Sequence, residues 1–467
     1  IFALAMNSYY IFIYIERCMI PIMYQNKDVF QGLSVPRAIA KFAIPTILSQ
    51  LVTLLYNLAD TFFVGHTNDP SQVAALTLSF PLFMTLTMIS NLFGIGANSF
   101  ISRSLGQGEH KQASKASTFS FYGALVGVLI IIVALSVYMT PILTLIGAVT
   151  PESFQATKAY LSWTVIYGGI PSVSALMLGH LIRAEGNTKQ ASIGMALGGI
   201  LNIALDYVFV SLLNLGAEGA GIATCISNII AFLYLLQIIL RTKGTVIVLN
   251  PRKLCFEAQI VKQVILVGIP AAAIIVLGSS ANIVLTHFMS AYGDVSIASF
   301  GLVQKIGSIA IQITVGLTQG IMPLLGYCYG AMDTKRLKEI NRYSFIILGC
   351  YAAFCLILVM TFAEPLIMLF ISEPETVAKG VQFLRIWFFC SPGMCFTNLF
   401  SSIFQAMGKW AHSLALSVIR QAGLLFPLLI IMNYFVGEIG LVYAQPISDT
   451  ISLLVGICFY ALLIKKL

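Results

Sequence analysis

The sequence predicts an all-α polytopic membrane protein of twelve transmembrane helices, arranged as two six-helix lobes. Three observations carry this. Only 9% of the 467 residues are charged while 58% are hydrophobic, and mean hydropathy is +0.91; a soluble domain would carry about 25% charge. Twelve apolar segments follow one another with short loops between them, each long enough to cross a bilayer as a helix. The second half of the chain repeats the first at an offset of about 221–225 residues.

The segments fall at about 37–66, 71–101, 117–146, 156–182, 188–213, 218–241, 260–291, 295–328, 342–371, 376–405, 411–436 and 438–464. Helices are the expected form, because a backbone in lipid must satisfy its own polar groups and no period-2 alternation suggests a barrel. Residues 1–36 form an N-terminal arm. Its first 22 residues lack an initiator Met, a spanning run and a signal-peptide pattern, so they read either as untranslated sequence upstream of a start at Met23 or as a poorly ordered arm. The N-lobe is assigned to 37–241, a linker to 242–259 and the C-lobe to 260–467.

The repeat is visible residue by residue. FAIPTILSQLVTLLYN (42–57) returns as VGIPAAAIIVLGSSAN (267–282), matching Pro45 with Pro270 and Asn57 with Asn282. GIGANSFISRSLGQGEHK (94–111) returns as TQGIMPLLGYCYGAMDTK (318–335), matching Gly106 with Gly330. GAGIATCISN (219–228) returns as GLVYAQPISD (440–449). An even number of spans per half makes the repeats parallel, about an axis along the membrane normal.

Charge sets the orientation and excludes some partners. The formal net charge is +8, but the excess sits in alternate loops: Arg103, Lys111 and Lys115; Arg183 and Lys189; Arg241 to Lys262; Lys335 to Arg342; Lys409. The opposite loops hold only Lys158 and Lys379 beside acidic residues. The positive-inside rule puts both termini in the cytoplasm, and nothing in this distribution suggests nucleic acid. The nine cysteines make no CxxC pair and fall mostly in apolar runs, which speaks against a disulfide framework or a zinc site. No HExxH or GxSxG motif points to an enzyme.

Three acidic residues lie well inside apolar segments: Asp60, Asp206 and Asp449. A carboxylate at the centre of a membrane helix costs about 2.5–3.5 kcal/mol, so an ion or proton site is the default reading. Asp60 lies roughly 9 Å from the outer end of its helix at 1.5 Å per residue. Asp206 and Thr224 reach a similar depth, and Asn202 shares a face with Asp206. Asn57, Asp60, Asn202, Asp206 and Thr224 are therefore expected to converge in the outer half of the N-lobe. Their oxygens suit Na⁺, and they equally suit a proton held on a carboxyl pair. For Asn57 and Thr224 the plainer alternative is interhelical hydrogen bonding. The C-lobe does not copy this set, since Leu285 stands where Asp60 stood. It carries Gln304, Lys305, Arg385 and Asp449 instead, and Asp449 is expected to pair with Lys305 or Arg385. Arg420 has no assigned partner. His287 reads as a core histidine.

The motifs P-x(11)-N-x(2)-DTFFVG (Pro45 to Gly65), SRSLGQG (102–108), RAEGN (183–187), LNIALDYVF (201–209) and GAEGAGIAT (216–224) together resemble the MATE family of multidrug and toxic-compound extrusion transporters, nearest its DinF-like, MepA-like bacterial branch. The resemblance spans 37 to 464. It implies two lobes in a V, a central cavity, a bacterial cell-membrane location and cation-driven export of cationic or amphipathic drugs; nothing in the sequence requires more than a monomer, and no cofactor is expected. H⁺ or Na⁺ is the implied coupling ion, with its site carried over onto Asp60, Asn202, Asp206 and Thr224. The acidic residues that another branch keeps in C-lobe helices 7 and 8 are missing here apart from the loop residue Asp294, which favours N-lobe coupling. A lipid-linked oligosaccharide flippase on a related lobed fold is the competing reading, kept open by Lys305, Arg385 and Arg420. A major-facilitator transporter fits the loop 102–112 and the helix 1 motif poorly.

Overall fold

A computed structural model describes residues 30–67, 69–148, 150–389 and 391–465; the first 22 residues lie outside them. Among the described residues the twelve apolar segments fall on twelve helical units, of which ten are single helices long and apolar enough to cross a membrane, or eleven with the bent α4. These are α1 (Val35–Gly65), α2 (Pro70–Gln107), α3 (His110–Val137), α4 (Pro151–Tyr167 continued by Gly169–Ala184), α5 (Thr188–Leu212) and α6 (Gly216–Arg241) in the first half. The second half has α7 (Ala258–Ser290), α8 (Asp294–Gly330), α9 (Thr334–Met368), α10 (Pro374–Phe389 and Ser391–Ala406), α11 (Trp410–Phe435) and α12 (Glu438–Ile464). The helix ends follow from local chemistry. Asp69 caps α2 by accepting the Ser71 N–H at 2.9 Å, with Pro70 at the first helical position. Gly108, at φ 78°, ends α2 in the left-handed conformation. Asp333 accepts the Arg336 N–H at 3.0 Å to start α9. Several spans are not regular runs: α4 bends by 51° at Gly168, α9 kinks at Phe362, and π-helical turns occur in α4, α5 and α11 at Ser162–Tyr167, Tyr207–Leu212 and Ile419–Leu425.

The buried apolar residues show how the lobes meet. One cluster is common to both lobes and joins Ile39 and Phe42 of α1, Ile101 of α2, Val264 of α7 and Leu324 of α8. These lie toward the ends of the helices that carry the basic loops. Toward the opposite face the core divides. One cluster there belongs to the N-lobe (Val64, Ala75, Tyr160, Val210) and another to the C-lobe (Leu285, Phe300, Val359, Leu429). The bundle is therefore a V, joined at the basic face and split at the other.

Glycines set the closeness of the join, and they act in symmetric pairs. A Cβ on Gly106 would overlap the Tyr327 carbonyl, and one on Gly330 would overlap the Arg103 carbonyl. Gly106 and Gly330 are repeat partners, and so are Arg103 and Tyr327 by the same register. Gly96 meets the Val264 carbonyl in the same way, and Gly320 lies against Ala43 and Phe42. Backbones approach this closely only where no side chain intervenes. Side chains add to the join: Ser99 Oγ donates to the Gln405 carbonyl at 2.5 Å, Arg103 Nη2 to Gln263 Oε1 at 3.3 Å, and Gln50 Nε2 to Gln319 Oε1 at 3.3 Å.

The linker between the lobes is strapped to α3. Residues 245–249 form no regular element, so their backbone groups need other partners. Ser114 and Thr118 hydroxyls donate to the Val246 and Val248 carbonyls at 2.8 and 2.7 Å, and Tyr122 donates to the Leu249 carbonyl at 2.7 Å. The Val248 N–H donates to Ser117 Oγ at 3.0 Å. These four residues form one stripe along α3. Beyond it, Lys115 pairs with Glu257. On the other side, the buried Glu185 carboxylate accepts from the Thr245 hydroxyl at 2.8 Å and from the Val246 N–H at 2.5 Å.

Two outcomes are expected. Gly330→Ala would force α8 away from the Arg103 carbonyl. A thiol introduced by Ser102→Cys, at a position fully buried against Gly326, should then label with maleimide several-fold faster than in the Ser102→Cys protein alone. Equal labelling would show that the seal does not depend on backbone approach. Burial pushes the Glu185 carboxyl up from 4.5 to about 7, against the opposing pull of its bonds from Thr245 and Val246. Its contribution to stability is present below its ordinary value and lost as pH rises through about 7. The melting temperature should fall between pH 5 and pH 8, and Glu185→Gln should flatten that fall; an unchanged slope would contradict it.

Candidate functional site

The N-lobe site begins with two adjacent glycines in α5. A Cβ on Gly199 would sit 2.7 Å from Val52 Cγ1 of α1, and one on Gly198 would sit 3.0 Å from the Ala231 Cβ of α6. The pair lets α5 pass close between α1 and α6. At the start of α6, Gly219 meets the Phe209 backbone and Gly221 meets Trp163 and Tyr160 of α4. Small residues on three sides thus bring polar side chains from four helices into contact.

Asp60, Asn202, Asp206 and Thr224 meet there. All are buried, with Asp206 at 0% exposure and Asp60 at 5%. The Asp60 carboxyl lies against the Asp206 carboxyl and the Asn202 amide. Asn202 Nδ2 donates to Thr224 Oγ1 at 3.3 Å, which leaves Asn202 Oδ1 unused. Four oxygens have no hydrogen-bond partner within the chain: Asp60 Oδ1, both Asp206 oxygens and Asn202 Oδ1. Asp206 is the last residue before the π-helical turn 207–212, a type of distortion common at functional sites.

Asn57 is set apart from this group. Its Nδ2 donates to the Thr53 carbonyl one turn back at 2.8 Å, and it lines the neighbouring cavity. Two aromatic residues absent from the expected set stand beside the carboxyls, Tyr56 and Tyr160. Tyr56 is four residues before Asp60, so helical spacing could have found it. Tyr160 comes from α4, and no spacing rule connects it to Asp60. The cavity has a volume of about 290 Å³ and lies between the lobes, with walls that include Tyr56, Asn202 and Thr224 from one lobe and Gln312 and Gln319 from the other.

An all-helical V with a split core and a polar cavity is matched by known proteins. The MatE family model matches residues 45–208 and again 270–431, once in each half, in the register of the internal repeat. The chain belongs to the MatE family. It is 29% identical to the multidrug export protein MepA of Staphylococcus saprophyticus over 443 residues, covering 94% of this chain and 96% of that protein. Its fold superimposes with a TM-score of 0.87 on a MATE structure in complex with MaL6, at 24% identity, covering 95% of this chain and 99% of that one. It also matches the outward-facing conformation of a multidrug resistance MATE family transporter of the MOP superfamily at a TM-score of 0.86, 23% identity, with 95% and 99% coverage.

This MatE-family chain has a different polar centre in its C-lobe, and there the sequence expectation is corrected. Asp449 does not pair with Lys305 or Arg385. Its partner is Arg420, whose Nε donates to Asp449 Oδ1 at 2.6 Å, and Gln445 Nε2 adds a bond at 3.1 Å. The π-helical turn 419–425 begins one residue before Arg420. Ser448 Oγ donates to the Arg420 carbonyl at 2.5 Å, holding that turn against α12. Lys305 and Arg385 are exposed, and Gln304 donates instead to Asn282 Oδ1 at 2.9 Å. The four residues expected to form one C-lobe network are thus separate. Among the described residues no cluster of three or more His, Cys, Asp or Glu side chains is placed to hold a metal.

Removing one partner of a buried pair leaves the other charge uncompensated, which costs about 3–5 kcal/mol, whereas replacing both with apolar residues is often neutral. Asp449→Leu should therefore lower the melting temperature in detergent by several degrees, and Arg420→Met combined with Asp449→Leu should recover most of the loss. A double variant as unstable as the single one would mean that Arg420 is not the compensating charge.

Proposed function

We propose that the protein is a secondary active multidrug exporter, moving cationic or amphipathic organic compounds outward across a bacterial cell membrane in exchange for H⁺ or Na⁺. The observation that carries this reading is the buried Asp60–Asp206 pair with its unpartnered oxygens. Two full negative charges in contact, away from water, repel strongly. A proton or a Na⁺ between them relieves that repulsion and satisfies the orphaned oxygens, with Asn202 Oδ1 available as a further ligand. Loading and unloading the pair changes how tightly α1, α5 and α6 hold together. Tyr56, Asn202 and Thr224 belong both to the carboxylate surroundings and to the cavity wall, so a change in the pair reaches the space a drug would occupy.

The positive-inside rule makes the basic face cytoplasmic, with both termini on that side. The glycine-lined join then closes the cytoplasmic side while the split core faces out. Binding an organic cation in the cavity and a small cation at the carboxylates are alternatives, since both draw on the same negative charge. A ligand with different affinity for the two lobe arrangements shifts their populations, and exchange follows. The relatives named for multidrug export support the substrate class, and nothing in the architecture requires more than a monomer or a resident cofactor. The flippase reading needs a basic cavity for a pyrophosphate. The residues that kept that reading open do not supply one: Arg420 is neutralised by Asp449, and neither Lys305 nor Arg385 lines the central cavity.

Proteoliposomes loaded with a fluorescent organic cation test this. An imposed pH gradient or an imposed Na⁺ gradient should drive transport in the wild type, and the effective gradient names the ion. Asp60→Asn and Asp206→Asn should each reduce the gradient-driven rate at least tenfold. Gradient-driven transport that survives both substitutions would remove the pair from the coupling role.

A further inference from the structure

The same cavity contains a charge that the proposed mechanism does not use. Arg183, in the last turn of α4, lines the cavity and is only 6% exposed. Its Nε has no hydrogen-bond partner, and none of the three ion pairs among the described residues includes it. Glu185, two residues on, is turned away and committed to Thr245 and Val246. One turn before Arg183, His180 also lines the cavity, 5% exposed. Gly94 makes room for its ring, since a Cβ there would lie 2.8 Å from His180 Cγ.

A guanidinium taken out of water needs a counter-charge or a full set of acceptors. The other guanidinium buried deep within a span, Arg420, is given both, through Asp449 and Gln445. Arg183 is given neither and faces an open space.

We infer that Arg183, with His180 beside it, forms a binding site for a small monoanion at the basic-face end of the N-lobe cavity. A carboxylate fits it well, because its two oxygens match the guanidinium fork; a halide fits the same charge. The anion comes either with the transported molecule, as the carboxylate of a zwitterion, or from solution. The zwitterion case rests on the exporter reading: the cationic group would lie toward Tyr56, Asn202 and the carboxyl pair, and the carboxylate toward Arg183. A free anion would instead neutralise the cavity floor beneath a purely cationic drug.

The binding arm of the test does not depend on transport. Sodium acetate and sodium chloride are titrated calorimetrically into purified full-length protein in HEPES at low ionic strength. Saturable binding is expected in the wild type, weakened at least tenfold by Arg183→Gln and partly retained by Arg183→Lys, which keeps the charge without the fork. If Arg183→Gln does not fold, the Lys variant alone carries the comparison. No saturable binding in the wild type overturns the site, as does wild-type affinity in the Lys variant together with the Gln variant. The transport arm compares a zwitterionic fluorophore with its methyl ester in chloride-free proteoliposomes. A zwitterion-to-ester rate ratio that falls at least tenfold in Arg183→Gln assigns the site to the substrate carboxylate. An unchanged ratio alongside Arg183-dependent binding assigns it to a free anion. Anion binding without any export would fault the exporter reading and leave the site standing.

Discussion

Two carboxylic acids sit in contact inside a bundle that lipid surrounds, and most of the N-lobe is arranged to permit it. In hydrocarbon each unsatisfied polar group costs several kcal/mol, so a buried carboxyl pair whose oxygens find no partner in the chain is a costly arrangement. The surrounding helices supply closeness rather than compensation. Gly198 and Gly199 narrow the spacing of α1, α5 and α6, Gly219 narrows that of α5 and α6, Gly221 narrows that of α4 and α6, and Asn202 is oriented by Thr224 with its carbonyl oxygen free. Had the fold satisfied those oxygens internally, the pair would be a structural ornament. On the proposed function, that incompleteness is what lets the pair bind and release an ion.

The C-lobe solves the same physical problem in the opposite way. Its buried acid, Asp449, is fully engaged by Arg420 and Gln445, and Leu285 replaces the counterpart of Asp60 within an apolar cluster. One lobe is chemically open and the other chemically closed. The Arg183 region shows the same logic with the sign reversed, because there it is a cation that the chain leaves uncompensated beside a cavity.

Much of this was legible in the residues. The twelve segments, the repeat and the meeting of Asp60, Asn202, Asp206 and Thr224 followed from hydropathy, register and depth, since depth along a helix is nearly linear in residue number. The same depth argument failed for Asp449. Residues at one depth can face different ways, and Lys305 and Arg385 are exposed where Asp449 is buried. Arg420 was left unplaced because a π-helical turn shifts the angular position of side chains, and nothing in IRQAGLL (419–425) announces one. The Tyr160 contact depends on how α4 packs, beyond the reach of any spacing rule. The strap on α3 was written plainly in Ser114, Ser117, Thr118 and Tyr122, but reading it required knowing that the linker would lie along that face.

The reciprocal contacts at the join carry a further consequence. Gly106 meets the carbonyl of Tyr327 while Gly330 meets that of Arg103, so each lobe offers the other the same surface that it receives. A surface of that kind is self-complementary, the geometry by which two identical subunits close into a two-fold dimer. The two lobes close on each other in that way within one chain, about a pseudo-two-fold axis. Because the chain is not made of identical halves, that symmetric join can hold together two unlike polar centres, an open acidic pair in one lobe and a sealed ion pair in the other.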